Sequence, residues 1–235
     1  MLRPMEVYVG TSGWLYGWNK KASLDWYVIN AGLNAVELNA SFYRFPFPNA
    51  VRSWAVKCRS LRWSIKTNRA ITHLYRFNEK ALGLWESFME LFGPLDHLID
   101  FYLFQLPPST KASSASAIAS FAEKTLLGHR FAFEPRNATW FSGKWVEWAR
   151  ELGITLVGVD CPTLPLVVFD TSGIVYQRMH GRLGWYSHRY SDEELKDVAT
   201  KIIETKSEKA YVFFNNNHAM LDNSRKMLAI LKGDL

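Results

Sequence analysis

Short hydrophobic segments recur along the chain, and segments with a helical spacing of apolar residues lie between most of them. The predicted strands are residues 7–12, 35–39, 62–68, 99–106, 130–136, 154–160, 174–180 and 210–216. The predicted helices are residues 23–31, 49–58, 79–92, 113–126, 144–152, 192–205 and 219–231. Alternation of strands and helices is typical of βα units that build a parallel sheet. Eight such strands predict an α/β protein with the (β/α)8 fold, the TIM barrel.

One unit departs from this alternation. Residues 161–173 contain two prolines and no helical spacing of apolar residues, so we predict that the sixth helix is missing or irregular. No linker, low-complexity tract or block of charge divides the 235 residues. Because one (β/α)8 barrel is commonly of this length, we expect a single domain over residues 1–235.

Polar residues gather at the carboxyl ends of the predicted strands, whereas the strand starts are mostly apolar. Side chains two residues apart on a strand point to the same face of the sheet. The active sites of (β/α)8 barrels lie at the carboxyl ends of the strands, so we expect same-face polar pairs to point towards the barrel axis there. Four strands carry such a pair: Glu37 with Asn39, Lys66 with Asn68, Glu134 with Arg136, and Arg178 with His180.

Two structural alternatives compete with a functional rim. Each polar strand end can simply meet solvent, as strand ends commonly do. The charges can also form a structural ion-pair network inside the barrel, in which Glu134 pairs with Arg178 or Arg136. The pattern favours a functional rim because all eight predicted strands end in polar residues.

Charge and composition narrow the classes of partner. The formal net charge is +6 and aromatic residues make up 15% of the chain, which favours anionic ligands. No run of lysine and arginine forms a basic stripe, so nucleic-acid binding or processing is the alternative and a small anionic ligand the leading prediction.

The same composition speaks against a membrane or disulfide-rich protein. Cys58 and Cys161 are far apart and form no C-x-x-C motif, which predicts neither a disulfide framework nor a thiolate zinc site. Residues 1–6 lead directly into the first predicted strand, and no long apolar segment follows. We expect no signal peptide, no membrane span and a cytoplasmic protein.

Several short motifs follow one another along nearly the whole chain. They are Gly10-Thr11-Ser12-Gly13-Trp14 with Tyr16 and Trp18, Val36-Glu37-Leu38-Asn39, Ser41-Phe42-Tyr43-Arg44 with Pro46, Ile71-Thr72-His73, Phe104-Gln105-Leu106-Pro107-Pro108, Glu134 with Arg136, Trp140-Phe141, Asp160, Arg178-Met179-His180-Gly181 and Phe214-Asn215-Asn216. In this order, the motifs resemble those of the YecE-like family, also called domain of unknown function 72. The resemblance implies a TIM barrel and supplies no activity.

The fifth strand departs from the family pattern. A hydrophobic residue usually separates its glutamate from its arginine, whereas this chain has Pro135 between Glu134 and Arg136. Proline cannot donate a hydrogen bond to a neighbouring strand and belongs at a strand edge or end. We therefore predict that the strand stops at Glu134, which leaves the direction of the Arg136 side chain open.

The rim residues predict an enzyme with acid–base or hydrolytic chemistry. A carboxylate between apolar walls can have a raised pKa and act as an acid or a base. A pair of carboxylates also allows glycoside hydrolysis as an alternative, since that reaction needs two. The catalytic candidates are Glu37, Glu134, Asp160 and His180.

The other rim residues predict a site for a small polar, anionic or nucleotide-like substrate. Cationic side chains bind carboxylates and phosphates, amides orient hydroxyl groups, and aromatic rings stack on bases or sugars. A non-catalytic metabolite-binding scaffold is a further alternative. The substrate-binding candidates are Thr11, Trp14, Asn39, Tyr43, Lys66, Asn68, His73, Gln105, Arg136, Arg178, Asn215 and Asn216.

A metal site is a further alternative, and no cofactor is firmly implied. Glu134, Asp160 and His180 end the successive fifth, sixth and seventh predicted strands. Carboxylates with an imidazole suit a divalent ion such as Mn, Mg or Zn. The neighbouring cationic side chains would repel such an ion, and the chain has no dense ligand motif.

Overall fold

The computed structural model describes residues 4–234. The expectation for the N-terminus includes residues 1–3, which lie outside the described part. The barrel strands are β1 (Glu6–Ser12), β2 (Ala35–Leu38), β3 (Arg62–Lys66), β4 (Ile99–Gln105), β5 (Phe131–Glu134), β6 (Thr155–Asp160), β8 (Ile174–Met179) and β9 (Lys209–Phe214), with the two-residue β7 (Asp170–Thr171) between β6 and β8.

The eight longer strands close into a parallel barrel. The hydrogen-bonded order runs from β6 through β5, β4, β3, β2, β1 and β9 to β8, and β6 pairs with β8 to complete the ring. The short β7 pairs antiparallel with β8 at its start. The predicted (β/α)8 fold is therefore confirmed, and each predicted strand overlaps an observed one.

The described residues contain α1 (Leu24–Asn30), α2 (Pro48–Lys57), α3 (Glu79–Phe92), α4 (Ala115–Thr125), α5 (Gly143–Glu151), α6 (Asp192–Glu204) and α7 (Met220–Lys232). In this part of the chain, β6 and β8 are joined without an α-helix, and β7 occupies the connection. The prediction for the sixth unit is thus confirmed. Capping side chains mark helix starts: Asn78 accepts backbone hydrogen bonds at α3, and Ser191 with Glu194 forms a capping box at α6, as expected for these residue types.

Side chains alternate between the lumen and the helix layer along each strand. Inward-facing apolar side chains such as Phe101, Leu103 and Phe213 form one core cluster inside the barrel. Val36, Leu38, Ile65, Phe133 and Met179 belong to the larger core beneath the helices. The predicted alternation is confirmed. It places Glu37, Glu134 and Arg178 on the lumen side, nearer the carboxyl ends of the strands than the apolar cluster inside the barrel.

The strands β1 and β2 approach each other very closely at Gly10. Gly10 pairs with Ala35 in the parallel register. A Cβ atom at Gly10 would lie 2.3 Å from the Ala35 carbonyl oxygen, so only glycine fits this position without a backbone shift. In residues 4–234, no helix is both long and apolar enough to cross a membrane.

Candidate functional site

Arg178 lies at the centre of the carboxyl end of the barrel and joins two carboxylates. Its Nε and Nη2 atoms donate to the two carboxylate oxygens of Glu37 at 2.9 and 2.6 Å. Its Nη1 atom donates to Glu134 Oε2 at 2.5 Å. All three side chains are fully buried, and we call them the Arg178 cluster. The cluster links β8 with β2 on one side and with β5 on the other.

Hydroxyl groups complete the coordination of Glu37. Ser12 Oγ donates to Glu37 Oε1 at 2.6 Å, and the Tyr176 hydroxyl donates to Oε2 at 2.7 Å. Ser64 Oγ lies 2.7 Å from the same Tyr176 hydroxyl. Burial, together with the negative charge of Glu37, raises the pKa of Tyr176 well above its usual value. The Tyr176 phenol therefore stays protonated and serves as a hydrogen-bond donor to Glu37.

Pro135 ends β5 and turns the next side chain back over the cluster. The strand stops at Glu134, as predicted. Arg136 forms an ion pair through its Nε with Glu134 Oε1, and its Nη2 lies 3.0 Å from His180 Nε2. The Arg136 guanidinium carbon lies 4.6 Å from the centroid of the Trp185 ring, a distance typical of cation–π contacts. The Arg136 side chain is thus aimed at the mouth of the barrel.

The electrostatics of Glu134 and His180 follow from these contacts. Burial raises the pKa of Glu134, but the charges of Arg136 and Arg178 outweigh burial and hold the pKa at about 2. Burial and the positive charge of Arg136 lower the pKa of His180 well below its usual value. At neutral pH, Glu134 is therefore an ionised carboxylate that cannot donate a proton, and His180 is a neutral imidazole.

The hydrogen-bond network assigns the tautomer of His180. Arg136 can only donate, so His180 Nε2 accepts and Nδ1 carries the proton. Among residues 4–234, the buried Nδ1 has no hydrogen-bond partner. The rings of Trp185 and Tyr186 both lie 5.4 Å from the imidazole, measured between ring centroids. A buried N–H donor without a partner is costly, and a bound acceptor group would satisfy it.

Lys66 lies at the same end of the barrel, as the last residue of β3. Its Nζ is 4.0 Å from the centroid of the Phe42 ring. Burial, with help from the positive charge of Arg178, lowers the pKa of Lys66 to about 7. Burial and the charge of Lys66 in turn lower the pKa of His73 to about 4. Lys66 therefore changes charge near neutral pH.

Two predicted residues point away from the barrel mouth. Asp160 pairs with Met179 in the register of β6 and β8, so its side chain lies on the helix side, where its Oδ2 accepts from Arg182 Nε at 3.0 Å. Thr11 also faces the helix layer, and its Oγ1 donates to the Gly13 carbonyl oxygen at 2.6 Å. Both residues were predicted at the functional rim, and the structure corrects this for one reason. Side chains alternate along a strand, and each of these residues is adjacent in sequence to a residue that faces inward, so its own side chain faces outward.

The same observation removes the predicted metal-ligand set. Glu134 faces the lumen and is held by two arginines, while Asp160 faces the opposite side of the sheet. His180 Nε2 is engaged with Arg136. Within the described residues, no three His, Cys, Asp or Glu side chains are grouped so that they could hold a metal ion. The set Glu134, Asp160 and His180 therefore does not form one site.

Three other candidates have structural contacts. Trp14 is buried with its ring edge-on to Trp54 and Trp63, at centroid distances of 5.7 and 5.8 Å. The amide of Asn68 joins two backbone groups, with Nδ2 donating to the Ser41 carbonyl oxygen at 3.1 Å. Asn216 is buried, and its Nδ2 donates to the His188 carbonyl oxygen at 2.7 Å. These contacts position loops around the mouth.

The remaining candidates lie around the rim. Gln105 shares the inward face of β4 with Leu103, Asn39 directly follows β2, and both residues keep some solvent contact. Asn215 follows Phe213 on the inward face of β9. Tyr43 is 71% exposed and lies outside the Arg178 cluster. His73 lies beside Lys66, with its Nδ1 2.7 Å from Thr72 Oγ1.

Sequence reasoning did not select Ser12, Ser64, Tyr176 and Trp185. The alternation could have found Ser64 and Tyr176, because they come two residues before Lys66 and Arg178 on the same strand faces. Trp185 lies in the loop that follows β8, where Gly181 has a φ of +112°. Only the folded loop brings the Trp185 ring onto Arg136, and no local pattern indicates that contact.

The closed barrel and its charged carboxyl end define the chain as a TIM-barrel protein with a buried ion-pair cluster at the rim. The family model described as "Protein of unknown function DUF72" matches residues 8–234. The chain therefore belongs to the DUF72 family, which the sequence motifs had indicated. No curated protein sequence is significantly similar to the chain.

Solved structures of the family share the fold. A DUF72 family protein from Thermotoga maritima superposes with a TM-score of 0.81 at 27% identity, covering 97% of this chain and 99% of that one. Two crystal structures of a DUF72 family protein from Enterococcus faecalis give TM-scores of 0.82 and 0.81 at 18% and 20% identity. They cover 96% and 99% of this chain, and 95% and 99% of their own chains.

Proposed function

We propose that the protein is a cytoplasmic enzyme that binds a small anionic substrate at the carboxyl end of its barrel. The observation that carries the proposal is the charge balance of the rim. The carboxylates of Glu37 and Glu134 are already paired with Arg178 and Arg136. In the described part of the chain, Lys66 forms no ion pair, so its protonated form adds one uncompensated positive charge.

An anion would complete this arrangement. A carboxylate or phosphate can accept hydrogen bonds from a lysine ammonium and an arginine guanidinium, which are stronger than those between neutral groups. The His180 Nδ1–H is a further donor without a partner among residues 4–234. The partly exposed residues Asn39 and Gln105 lie at the carboxyl ends of β2 and β4. These groups suit a polar substrate with at least one negative charge.

Acid–base chemistry at this rim would depend on the protonation states of Glu134 and Lys66. Glu134 remains ionised at neutral pH because its pKa is about 2, so it can serve as a charged orienting group for Arg136. Lys66, with a pKa of about 7, can accept or donate a proton at the working pH of most enzymes. Asp160 has no part in the proposal because it faces the helix layer.

The first test measures binding of oxalate, a dianion across the neutral range, by isothermal titration calorimetry. Replacing Lys66 by methionine should weaken oxalate binding at pH 6 by about tenfold or more, since a hydrogen bond to a charged group contributes about 1.5–3 kcal/mol. Lys66 is cationic below its pKa of about 7, so wild-type affinity should fall between pH 6 and pH 8. The Lys66→Met variant should lose this pH dependence.

A matched control is Lys80→Met, because Lys80 is exposed at the start of α3. This variant should bind oxalate like the wild type. Equal affinity of the wild type and Lys66→Met at pH 6 would contradict the proposed anion site. Catalysis is tested separately by incubating the protein with a mixture of small anionic metabolites and following each by mass spectrometry. Binding without conversion of any compound would reject the enzyme and favour a metabolite-binding scaffold.

Nucleic-acid binding stays a prediction from the net charge of +6. It requires an affinity for oligonucleotides that falls steeply with salt, because phosphate contacts release counterions. Fluorescence anisotropy with a labelled single strand at low and moderate salt measures this dependence. Absent binding at low salt would remove the prediction.

A further inference from the structure

Lys66 is the rim cation that the protein leaves without a counter-ion. It ends β3 on the same strand face as Ser64, whose hydroxyl contacts Tyr176 inside the barrel. Its Nζ lies against the face of the Phe42 ring at 4.0 Å from the centroid. Across residues 4–234, Lys66 donates no hydrogen bond and forms no ion pair, although two carboxylates belong to the same group of charges.

The charged groups that act on Lys66 lie on β2, on β8, and on β5 and the residues after it. Glu37 and Glu134 raise its pKa, whereas burial and the two rim arginines lower it, and the lowering wins. Both carboxylates are paired with arginines, and their effect on the pKa of Lys66 is outweighed by burial and by the arginine charges. The charged or titratable neighbours are Glu37 of β2, Glu134 at the end of β5 and Arg136 after it, Arg178 of β8 and His180 directly after it, and Arg69 and His73 in the turn after β3.

These surroundings keep both forms of the amine available. The Phe42 ring stabilises the protonated form through a cation–π contact. Burial and the nearby guanidinium groups stabilise the neutral form. A neutral amine is a nucleophile, and a lysine near other cations in a partly desolvated site is one way in which proteins activate it.

Given the proposed anionic substrate, on which this inference rests, we propose that Lys66 Nζ forms a Schiff base with the carbonyl carbon of a small aldehyde or ketone that carries a carboxylate or phosphate. Arg136, held over the mouth by Glu134 and Trp185, would bind the anionic group of the substrate. The requirement is one substrate with both functions: a carbonyl for the amine and an anion for the guanidinium.

The reaction is a condensation without any redox change. The lone pair of neutral Nζ attacks the carbonyl carbon, and the carbonyl oxygen takes up a proton to give a carbinolamine. The second amine proton and the hydroxyl group then leave as part of one molecule of water, and a C=N bond forms. The nitrogen thus loses two protons, and both end in the released water. A proton taken from solvent afterwards converts the imine to the iminium ion.

The test traps the imine formed with glyoxylate, using sodium cyanoborohydride to reduce it to a stable amine. Peptide mapping by mass spectrometry then locates lysines that carry a carboxymethyl group. At pH 7 the neutral fraction of Lys66 should exceed that of an ordinary exposed lysine by about a thousandfold. We expect Lys66 to be labelled at least about tenfold faster than Lys80. The Lys66 rate should rise through pH 7 and level off, while the Lys80 rate keeps rising.

Three comparisons define the result. Lys66→Arg keeps the positive charge but cannot form an imine, so it should still bind oxalate and should lose labelling at position 66. Arg136→Met should slow labelling of Lys66 by glyoxylate more than by propanal, an aldehyde without a charge. Loss of the Arg136 charge raises the pKa of Lys66 and slows both reactions, whereas loss of the anion contact slows only the reaction with glyoxylate. Lys80→Met should leave labelling of Lys66 unchanged.

The outcomes separate this inference from the proposed function. Labelling of Lys66 no faster than that of Lys80, with oxalate binding intact, would overturn the Schiff base and leave the anion site standing. Selective labelling by both aldehydes without any oxalate binding would overturn the anionic substrate. Absence of both oxalate binding and selective Lys66 labelling would contradict the anion site and the Schiff base together.

Discussion

Replacing Arg178 by methionine should lower the free energy of unfolding by about 3–5 kcal/mol. The substitution would leave the carboxylates of Glu37 and Glu134 in a fully buried site without the guanidinium that joins them. A buried ionised group without a partner costs much more than the pair contributes when intact. Urea denaturation at pH 7, followed by tryptophan fluorescence, measures the change.

A surface ion pair provides the control for Arg178→Met. Arg150 pairs with Glu147 at 2.6 Å on α5, with both side chains largely exposed. Arg150→Met should change the free energy of unfolding by less than about 1 kcal/mol. Adding Glu37→Gln to Arg178→Met should recover part of the loss, because Glu134 keeps its ion pair with Arg136 and no buried carboxylate is left without a cation. Similar losses for Arg178→Met and Arg150→Met would contradict a buried cluster.

Replacing Gly10 by alanine should destabilise the barrel by about 2–4 kcal/mol. The new Cβ would lie 2.3 Å from the Ala35 carbonyl oxygen, an atom of the neighbouring backbone that cannot rotate away. Relief requires β1 and β2 to separate, which would also disturb the contact between Ser12 and Glu37. The midpoint and slope of urea unfolding report this loss.

Gly83 supplies a matched glycine on α3. A Cβ there would meet no atom within 4 Å, and alanine is the better helix former by about 0.5–1 kcal/mol. Gly83→Ala should therefore stabilise the protein slightly under the conditions in which Gly10→Ala destabilises it. A stable Gly10→Ala protein would mean that the two strands are farther apart than described.

Most of the fold could be predicted from the sequence because strand and helix periodicities are local. The eight strands, the missing sixth helix and the end of β5 at Glu134 all follow from apolar spacing and from Pro135. The convergence of Glu37, Glu134 and Arg178 follows from side-chain alternation once a barrel is assumed. These are properties that a strand imposes on its own residues.

The site was harder to predict because its contacts join distant segments. Asp160 was selected because it is a polar residue at a strand end. In the register of β6 and β8 it pairs with Met179, next to the inward-facing Arg178, so the Asp160 side chain faces the helix layer. The direction of the Arg136 side chain depends on contacts with His180 and Trp185. Both residues follow β8, more than 40 residues further along the chain. Lys66 forms no ion pair within the described residues because the arginines occupy both nearby carboxylates, and tertiary geometry decides which cations pair with them.

The Arg178 cluster also limits how related sequences can vary. A single replacement at position 37, 134 or 178 leaves an unmatched charge beneath the mouth, so the first step towards any other arrangement is unfavourable. Coordinated replacement of Glu37 and Arg178 avoids this intermediate, because Glu134 keeps its ion pair with Arg136. We therefore expect positions 37 and 178 to be inherited as a unit, and a homologue lacking one of them to lack the other.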